Sequence, residues 1–478
     1  MHSIGGLTPD HASVSGSRSL RSGPPAPTAS TPVAAPPAPA SRVVPSAPAS
    51  GAASPGSASW GGAASTSHSA SASASASARD GARPLPGGGA AGAGAERRPA
   101  RPVVTELRLS AFAAHRGAVH PLGPVTLFAG PSGSGKSTVL RAYEALARLG
   151  SGDDLALAFP DAVGCVPERA RPDAQGRRGL RIGCTVDGPC GPVRLDVAVQ
   201  AEPRLRIVGE RLTLPGRTLL TTALRDPGRS TVQAEWHTAG ATPVTRAPLP
   251  DDLLGTALLP LRVAGKTQGQ LEVLAAAEQV VVALRSVFAC DPRPYRMRAP
   301  VPTGEGRLRR GCDNLAEVLH RTSNDCPRRH ARLASVAGAG CAGPVTGLGV
   351  EELPDATVRA VLERAVRGAS GPGATAATPL GRLGDGELRY LALALVLLTG
   401  PGVLAMDQLD EVPSAMRALT VLADGLDRGL DARQFRALLD LAATICADGH
   451  IRLVGAVGQA AAEDAREVRG VSVVDLEP

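Results

Sequence analysis

The apolar positions change period along the chain, and the changes mark its elements. Residues 103–112 (VVTELRLSAF) read as a strand with Val104, Leu107 and Leu109 turned inward. Residues 124–130 (PVTLFAG) form a short continuous apolar run stopped by glycine, the pattern of a buried strand ending at a turn. Residues 137–149 (STVLRAYEALARL) then place apolar side chains at helical spacing. Strict alternation over 193–200 (VRLDVAVQ), and a β-favouring run over 205–214 (LRIVGERLTL), predict antiparallel pairs with one wet face. Helices are predicted over 271–288, 314–321 and 354–367. A loop over 371–386 opens into a helix from Glu387. A strand is predicted over 403–406, then a helix over 432–447 capped by Asp431 and ended by Gly449, then strands over 451–457 and 471–476. No heptad pattern persists, so a long coiled coil is not expected, and there is no internal repeat.

Composition changes this picture at one end. Residues 1 to 102 are built from Ala, Ser, Pro and Gly, including the run SASASASA. Such a stretch has almost nothing to bury against the entropy of ordering, so a disordered tail is predicted there. The rest, 103–478, is long enough for one large core. Aromatic residues are only 2% of the chain, so Ala, Leu and Val must fill that core. The formal charge of +7 sits mostly in the tail, whose eight Arg face three acids. A basic pI is therefore weak evidence for a nucleic-acid face. No run of about 18 apolar residues exists, so no spanning helix is expected. The opening MHSIGGLTPDHASVSGS lacks the apolar core of a signal peptide, so a cytoplasmic protein is expected. Eight cysteines lie without any C-x-x-C pair, which suits reduced thiols. Cys312, His320, Cys326 and His330 have no common zinc spacing.

Residues 130–138 (GPSGSGKST) match G-x-x-x-x-G-K-[ST] without a gap, between a predicted strand and a predicted helix. In this pattern Gly130, Pro131, Ser132, Gly133, Ser134 and Gly135 curl so that backbone N–H groups face a phosphate. Lys136 supplies a point charge, and the Ser137 hydroxyl, followed by Thr138, meets Mg2+ at the start of the helix. The chain has 49 Arg but only two Lys, at 136 and 266. Lysine at 136 thus marks a site that needs a compact ammonium rather than a planar fork. The second lysine, in AGKTQGQ, lacks the required glycine five residues before Gly265, where Pro260 stands, and reads as non-nucleotide.

Three further stretches line up with this loop. LGDGELRYLALALVLL (383–398) resembles the ABC signature and its helix, with Leu383, Gly384, Asp385, Gly386 and Glu387 as the signature. VLAMD (403–407) resembles a Walker B strand ending in a magnesium aspartate, Asp407. LRLSAFAAHRGAVHPLGPVTLFAGPSGSGKSTVLRA is similar to the start of RecF- and SMC-type ATPase heads, and GCDNLAEVL (311–319) is similar to an element of AAA_21 and OLD-like ATPases. Residues 103–478 thus resemble an ABC-type P-loop ATPase head, close to ATP-binding proteins predicted in high-GC bacteria.

The resemblance implies an α/β fold with a mixed central sheet, an antiparallel β subdomain and a helical insertion. The expected division is 103–225 for the lobe with the phosphate loop and β subdomain, 226–370 for a mostly helical insertion, and 371–478 for the lobe with signature and Walker B. It implies ATP and Mg2+ as cofactors, and a homodimer in which Gly384 and Gly386 of one head offer N–H groups to the γ-phosphate held by the other. The chain also departs from the pattern. Gln408 stands where a water-activating glutamate is usual, and glutamine cannot accept a proton. Asp410 and Glu411 are the nearby acids that could replace it if the loop folds back. Gly458 and Gln459 follow the strand where a switch histidine is usual, and His450 lies at its other end. Arg116 is the basic residue expected to approach the nucleotide. Three readings stay open: a slow ATPase that dimerises on Mg-ATP, a non-hydrolysing ATP-gated module, and a DNA-associated maintenance or defence ATPase by analogy with RecF-like heads.

Overall fold

The computed structural model describes residues 101–239, 243–366, 375–406 and 417–477. The expected tail, 1–102, falls outside the described residues except for Arg101 and Pro102.

The chain begins with strands β1 (Val103–Phe112), β2 (His115–Pro121) and β3 (Val125–Ala129), then helices α1 (Lys136–Ser151) and α2 (Leu155–Ala158). Six strands follow: β4 (Arg178–Asp187), β5 (Val193–Glu202), β6 (Arg206–Leu214), β7 (Arg217–Ala223), β8 (Thr231–His237) and β9 (Val244–Pro250). Next come α3 (Gly255–Arg262), α4 (Gln268–Arg285), β10 (Val287–Ala289), α5 (Pro294–Met297), β11 (Val301–Pro302), α6 (Leu315–Asp325) and α7 (Pro327–Gly340). The remainder is β12 (Val345–Glu352), β13 (Thr357–Ala365), β14 (Thr375–Pro379), α8 (Asp385–Leu398), β15 (Leu419–Ala423), α9 (Ala432–Cys446), β16 (Ile451–Ala456), α10 (Gln459–Arg466) and β17 (Val471–Asp475).

The described residues form three sheets, and the central one is parallel rather than mixed as expected, with the antiparallel pairs in the eight-stranded sheet and in a smaller one of β11, β12, β13 and β14. Five strands in the order β10-β15-β16-β3-β17 pair in parallel throughout. Helices connect most of them, and helical crossovers enforce parallel pairing. Both faces of such a sheet are covered, so β3, β15 and β16 are buried at every position and mostly apolar, with Thr126, Thr420 and Arg452 as their polar residues. Alternate residues serve opposite sides: Val125, Leu127 and Ala129 pack under α8 and α9, while Phe128 packs toward α1 and α4. Eight strands in the order β2-β1-β4-β5-β6-β7-β8-β9 form the antiparallel sheet; its neighbours are consecutive in the chain except β1 and β4, and the alternating run 193–200 falls on β5, paired antiparallel on both sides as predicted. Its inward residues Leu195, Val197 and Val199 share a core with α1 and α4.

Helices α4 and α6 confirm the periodic runs from 271 and 314, and Asp431 caps α9 by accepting the Gln434 amide at 2.7 Å. The helix expected over 354–367 is strand β13 instead, hairpinned to β12. Val358, Ala360 and Leu362 are buried at alternate positions and Val361 is buried beside them, so burial in the sheet overrides the helix-favouring Arg359, Glu363 and Arg364. The stretch expected to be mostly helical, 226–370, also holds β8 and β9, which extend the antiparallel sheet. Among the described residues no helix is long and apolar enough to cross a membrane.

Candidate functional site: a phosphate loop facing Asp424

The loop 130–135 leaves the C-terminal end of β3 and feeds α1, and its glycines are set by geometry. Gly133 and Gly135 have φ of 88° and 91°, the left-handed region that favours glycine. A Cβ on Gly135 would stand 2.5 Å from His115 Nε2, and one on Gly130 would stand 2.5 Å from the Leu476 carbonyl oxygen. His115, on β2, is nearly buried, and its Nε2 donates to the Gly135 carbonyl at 3.1 Å. Behind it His120 packs edge-on to Phe128, and burial, aided by His115, holds its pKa below the ordinary value.

The loop carries features of an anion site. Helix α1 has Gly135 as its N-cap, without a side-chain cap, so its first N–H groups remain available to a ligand. Lys136 folds back so that Nζ donates to the Gly130 and Pro131 carbonyls, each at 2.8 Å. Ser134 Oγ is buried and has no partner among the described residues. An open cleft of about 370 Å³ borders the loop, lined by Ala113, Ala114, Ser132, Lys136, Thr138 and Glu168 among others. Arg116 is exposed on β2, paired with Ala111, and is not among that lining.

The acid facing the loop is Asp424, which sequence reasoning missed. It follows β15, and the Ser137 hydroxyl donates to its Oδ1 at 3.0 Å. The strand expected over 403–406 is absent from the central sheet. Pro401–Val403 form a 3-10 turn, and Leu404 makes one isolated bridge, to Leu308. Asp407, Gln408, Asp410 and Glu411 lie outside the described residues. The chain holds two near-copies of one string, V-L-A-M-D at 403–407 and V-L-A-D at 421–424. The second is preceded by Leu419 and Thr420, giving five residues able to form a buried strand, whereas Pro401-Gly402 precede the first. The following capped helix, α9, was the signal that could have selected it. Directly after Asp424 comes Gly425, with φ of 61°.

The signature stretch 383–387 forms the start of α8, with Gly384 as N-cap. Glu387 Oε2 accepts the Gly384 N–H at 3.0 Å, and its Oε1 accepts the Ala342 N–H at 2.8 Å. Asp385 pairs with Arg298, and Leu383 is buried. Gly386 sits against the turn before α9: a Cβ there would be 2.4 Å from the Gly429 carbonyl oxygen. One turn on, Arg389 donates to the Gly425 carbonyl at 3.0 Å and to the Pro292 carbonyl at 2.7 Å, tying α8 to the end of β15. Burial, with repulsion from Arg428, lowers the Arg389 pKa. At the end of β16, the Gly458 N–H donates to Asp427 Oδ2 at 3.0 Å and Gln459 opens α10, while His450 lies at the opposite end. Lys266 lies just before α4, which Thr267 caps by accepting the Gln270 N–H, a structural rather than a phosphate-binding use.

No family model matches the chain, and no curated protein matches it. Among solved structures, it is similar to an SMC head bound to the C-winged-helix domain of ScpA, at 14% identity over 74% of this chain and 90% of that one, with a TM-score of 0.41. It is also similar to the SMC head domain from Thermotoga maritima, at 15% identity over 79% of this chain and 100% of that one, TM-score 0.35. A third, the Smc head domain with an extended coiled coil bound to the C-terminal domain of ScpA, from Pyrococcus furiosus, is 11% identical over 75% of this chain and 90% of that one, TM-score 0.39. At these identities and scores the chain is similar to SMC heads in outline alone, and the phosphate site rests on its own geometry.

Proposed function

We propose that the protein binds a nucleoside triphosphate, ATP by its family resemblance, together with Mg2+, and hydrolyses it slowly. The observation that carries this is the 3.0 Å hydrogen bond from Ser137 to Asp424, which joins the phosphate loop to a carboxylate at the end of a neighbouring strand. A hydroxyl and a carboxylate are hard oxygen donors of the kind Mg2+ takes beside phosphate. Ser137 and Asp424 would hold the ion, Lys136 would leave its two carbonyls for phosphate oxygens, and the N–H groups from Gly133 to Ser137 would cradle the chain of phosphates. The bound ion would offset negative charge on those phosphates.

Slow turnover follows from Gly425. The residue after the metal-facing acid carries no side chain, so no base stands there to take a proton from water. The same observation favours the second reading, a module gated by nucleotide without hydrolysis. In either case the start of α8, with Leu383, Gly384, Asp385, Gly386 and Glu387, is the proposed surface for a second copy carrying nucleotide. The Gly384 N–H is taken by the Glu387 carboxylate at 3.0 Å, and because Gly384 has no side chain to cap the helix, the first N–H groups of α8 beyond it are the ones that would face the partner's phosphate.

Equilibrium binding of labelled ATP with Mg2+, by the full chain and by Lys136→Ala, tests the reading. Loss of one charge-assisted contact of ~1.5–3 kcal/mol should weaken affinity by about tenfold or more. Equal affinity of the two proteins, or no binding by the wild type, would remove the basis for a nucleotide function.

A further inference from the structure

The end of β15 has a neighbour with a carboxylate of its own. Strand β10 runs parallel to β15 with Ala289 opposite Leu422, and the Cys290 N–H continues the ladder by donating to the Leu422 carbonyl at 2.8 Å. Two residues beyond each of that pair stand Asp291 and Asp424. The register therefore brings both acids to the same, C-terminal end of the sheet. Both line one small cavity of about 140 Å³, together with Ser137, Glu144, Arg310 and Arg428.

The position after Asp424 is built for glycine. Gly425 has a left-handed φ of 61°, and a Cβ there would stand 3.1 Å from the Arg428 guanidinium nitrogens. Of the acids lining the cavity besides Asp424, Glu144 is held by Arg310 and by Arg148 at 3.2 Å. Asp291 is held less tightly. Its backbone N–H is fixed to the Arg310 carbonyl at 2.9 Å, while among the described residues its side chain takes a single long contact, 3.3 Å, from Arg293 Nε. The carboxylate is about one-third exposed (32%). Its main chain is anchored and its acceptor oxygens remain largely free.

We propose that Asp291 supplies the carboxylate that Gly425 lacks, taking the proton of the attacking water when the bound triphosphate is cleaved. The inference rests on the nucleotide-binding reading above. In the step, the water oxygen forms a bond to the γ-phosphorus. The bond from that phosphorus to the β,γ-bridging oxygen breaks, and the nucleoside diphosphate leaves with the electron pair. The water proton passes to the Asp291 carboxylate.

The test compares full-length wild type, Asp291→Asn, Asp291→Glu and Lys136→Ala by three measurements: phosphate release, dissociation constants for Mg-ATP, and the amount of ADP trapped with aluminium fluoride after gel filtration. Asp291→Asn should slow release by ~10²–10³-fold, the size of a general-base contribution, and bind Mg-ATP within about threefold of wild type. Trapping of the transition-state mimic should fall about tenfold, and Asp291→Glu should recover part of both losses. Hydrolysis by Asp291→Asn within about threefold of wild type would overturn the assignment, as would a loss of affinity that accounts for the whole loss of rate. A wild type that binds Mg-ATP in a Lys136-dependent way without hydrolysing it would also overturn the role of Asp291 and leave the binding site standing. Binding indifferent to Lys136 would instead remove the nucleotide reading itself.

Discussion

Replacing Asp424 by asparagine removes one negative charge and leaves the shape of the strand end unchanged. The side chain follows a strand whose five residues are all buried, so its backbone position is fixed by packing. Oδ1 accepts from Ser137 at 3.0 Å, and an asparagine oxygen can still do so. What changes is the charge available to a divalent cation beside the phosphates. A contact to a charged group contributes ~1.5–3 kcal/mol, so the gain in ATP affinity on adding Mg2+ should shrink by about 10- to 150-fold in Asp424→Asn. Affinity measured in EDTA should stay within about threefold of wild type, because the loop and Lys136 are untouched. Fluorescence titration of a labelled nucleotide, with Mg2+ and with EDTA, reads both values. Asp407→Asn in parallel should leave the magnesium gain intact. The reasoning fails if Asp424→Asn keeps the full magnesium gain, or if Asp407→Asn is the variant that loses it.

Gly135→Ala should weaken ATP binding about tenfold or more, because an L-residue in the left-handed region costs ~1–2 kcal/mol and the methyl meets His115 at 2.5 Å; titration of Gly135→Ala with and without His115→Ala checks whether removing the ring relieves part of the loss. Gly340→Ala should destabilise the packing of α7 on α8 by about 1–3 kcal/mol, since its methyl would fall 1.9 Å from Tyr390 Cδ1, and an unchanged denaturation midpoint would contradict that packing. Burial raises the Glu210 carboxyl above its ordinary 4.5, against hydrogen bonds from Thr256 and Gly255. A folded pKa above the unfolded one gives stability that is complete below about 4.5 and lost as pH rises through the folded value, so the Tm advantage of wild type over Glu210→Gln should be largest near pH 4 and shrink as pH rises; an advantage that grows would refute the sign.

The phosphate loop was legible because its chemistry is local. Nine consecutive residues carry the turn, the charge and the hydroxyl, and the flanking periods place them between strand and helix. The acid opposite Ser137 was not, because a pairing across 287 residues leaves no local mark. Two similar apolar strings competed for it, and the choice depends on which one finds parallel neighbours on both sides. Strand β13 was missed for a related reason. Its Glu and Arg residues favour a helix in isolation, and only the hairpin with β12 makes alternate burial the better arrangement. Asp291 carried no signal in the sequence, since its meaning comes from the register of β10 on β15.

The place of β3 between β16 and β17 also bears on how the protein is made. The phosphate loop is synthesised roughly three hundred residues before the two strands that flank its own, and at ~5–20 residues per second a ribosome takes about 15–70 s to cover that distance. During that interval the loop exists as sequence without the sheet that shapes it, and Gly130 has no Leu476 carbonyl to lie against. Nucleotide therefore cannot guide the early folding of the nascent chain. It can act as a check on the finished one, stabilising those molecules in which the late strands have docked on both sides of the first.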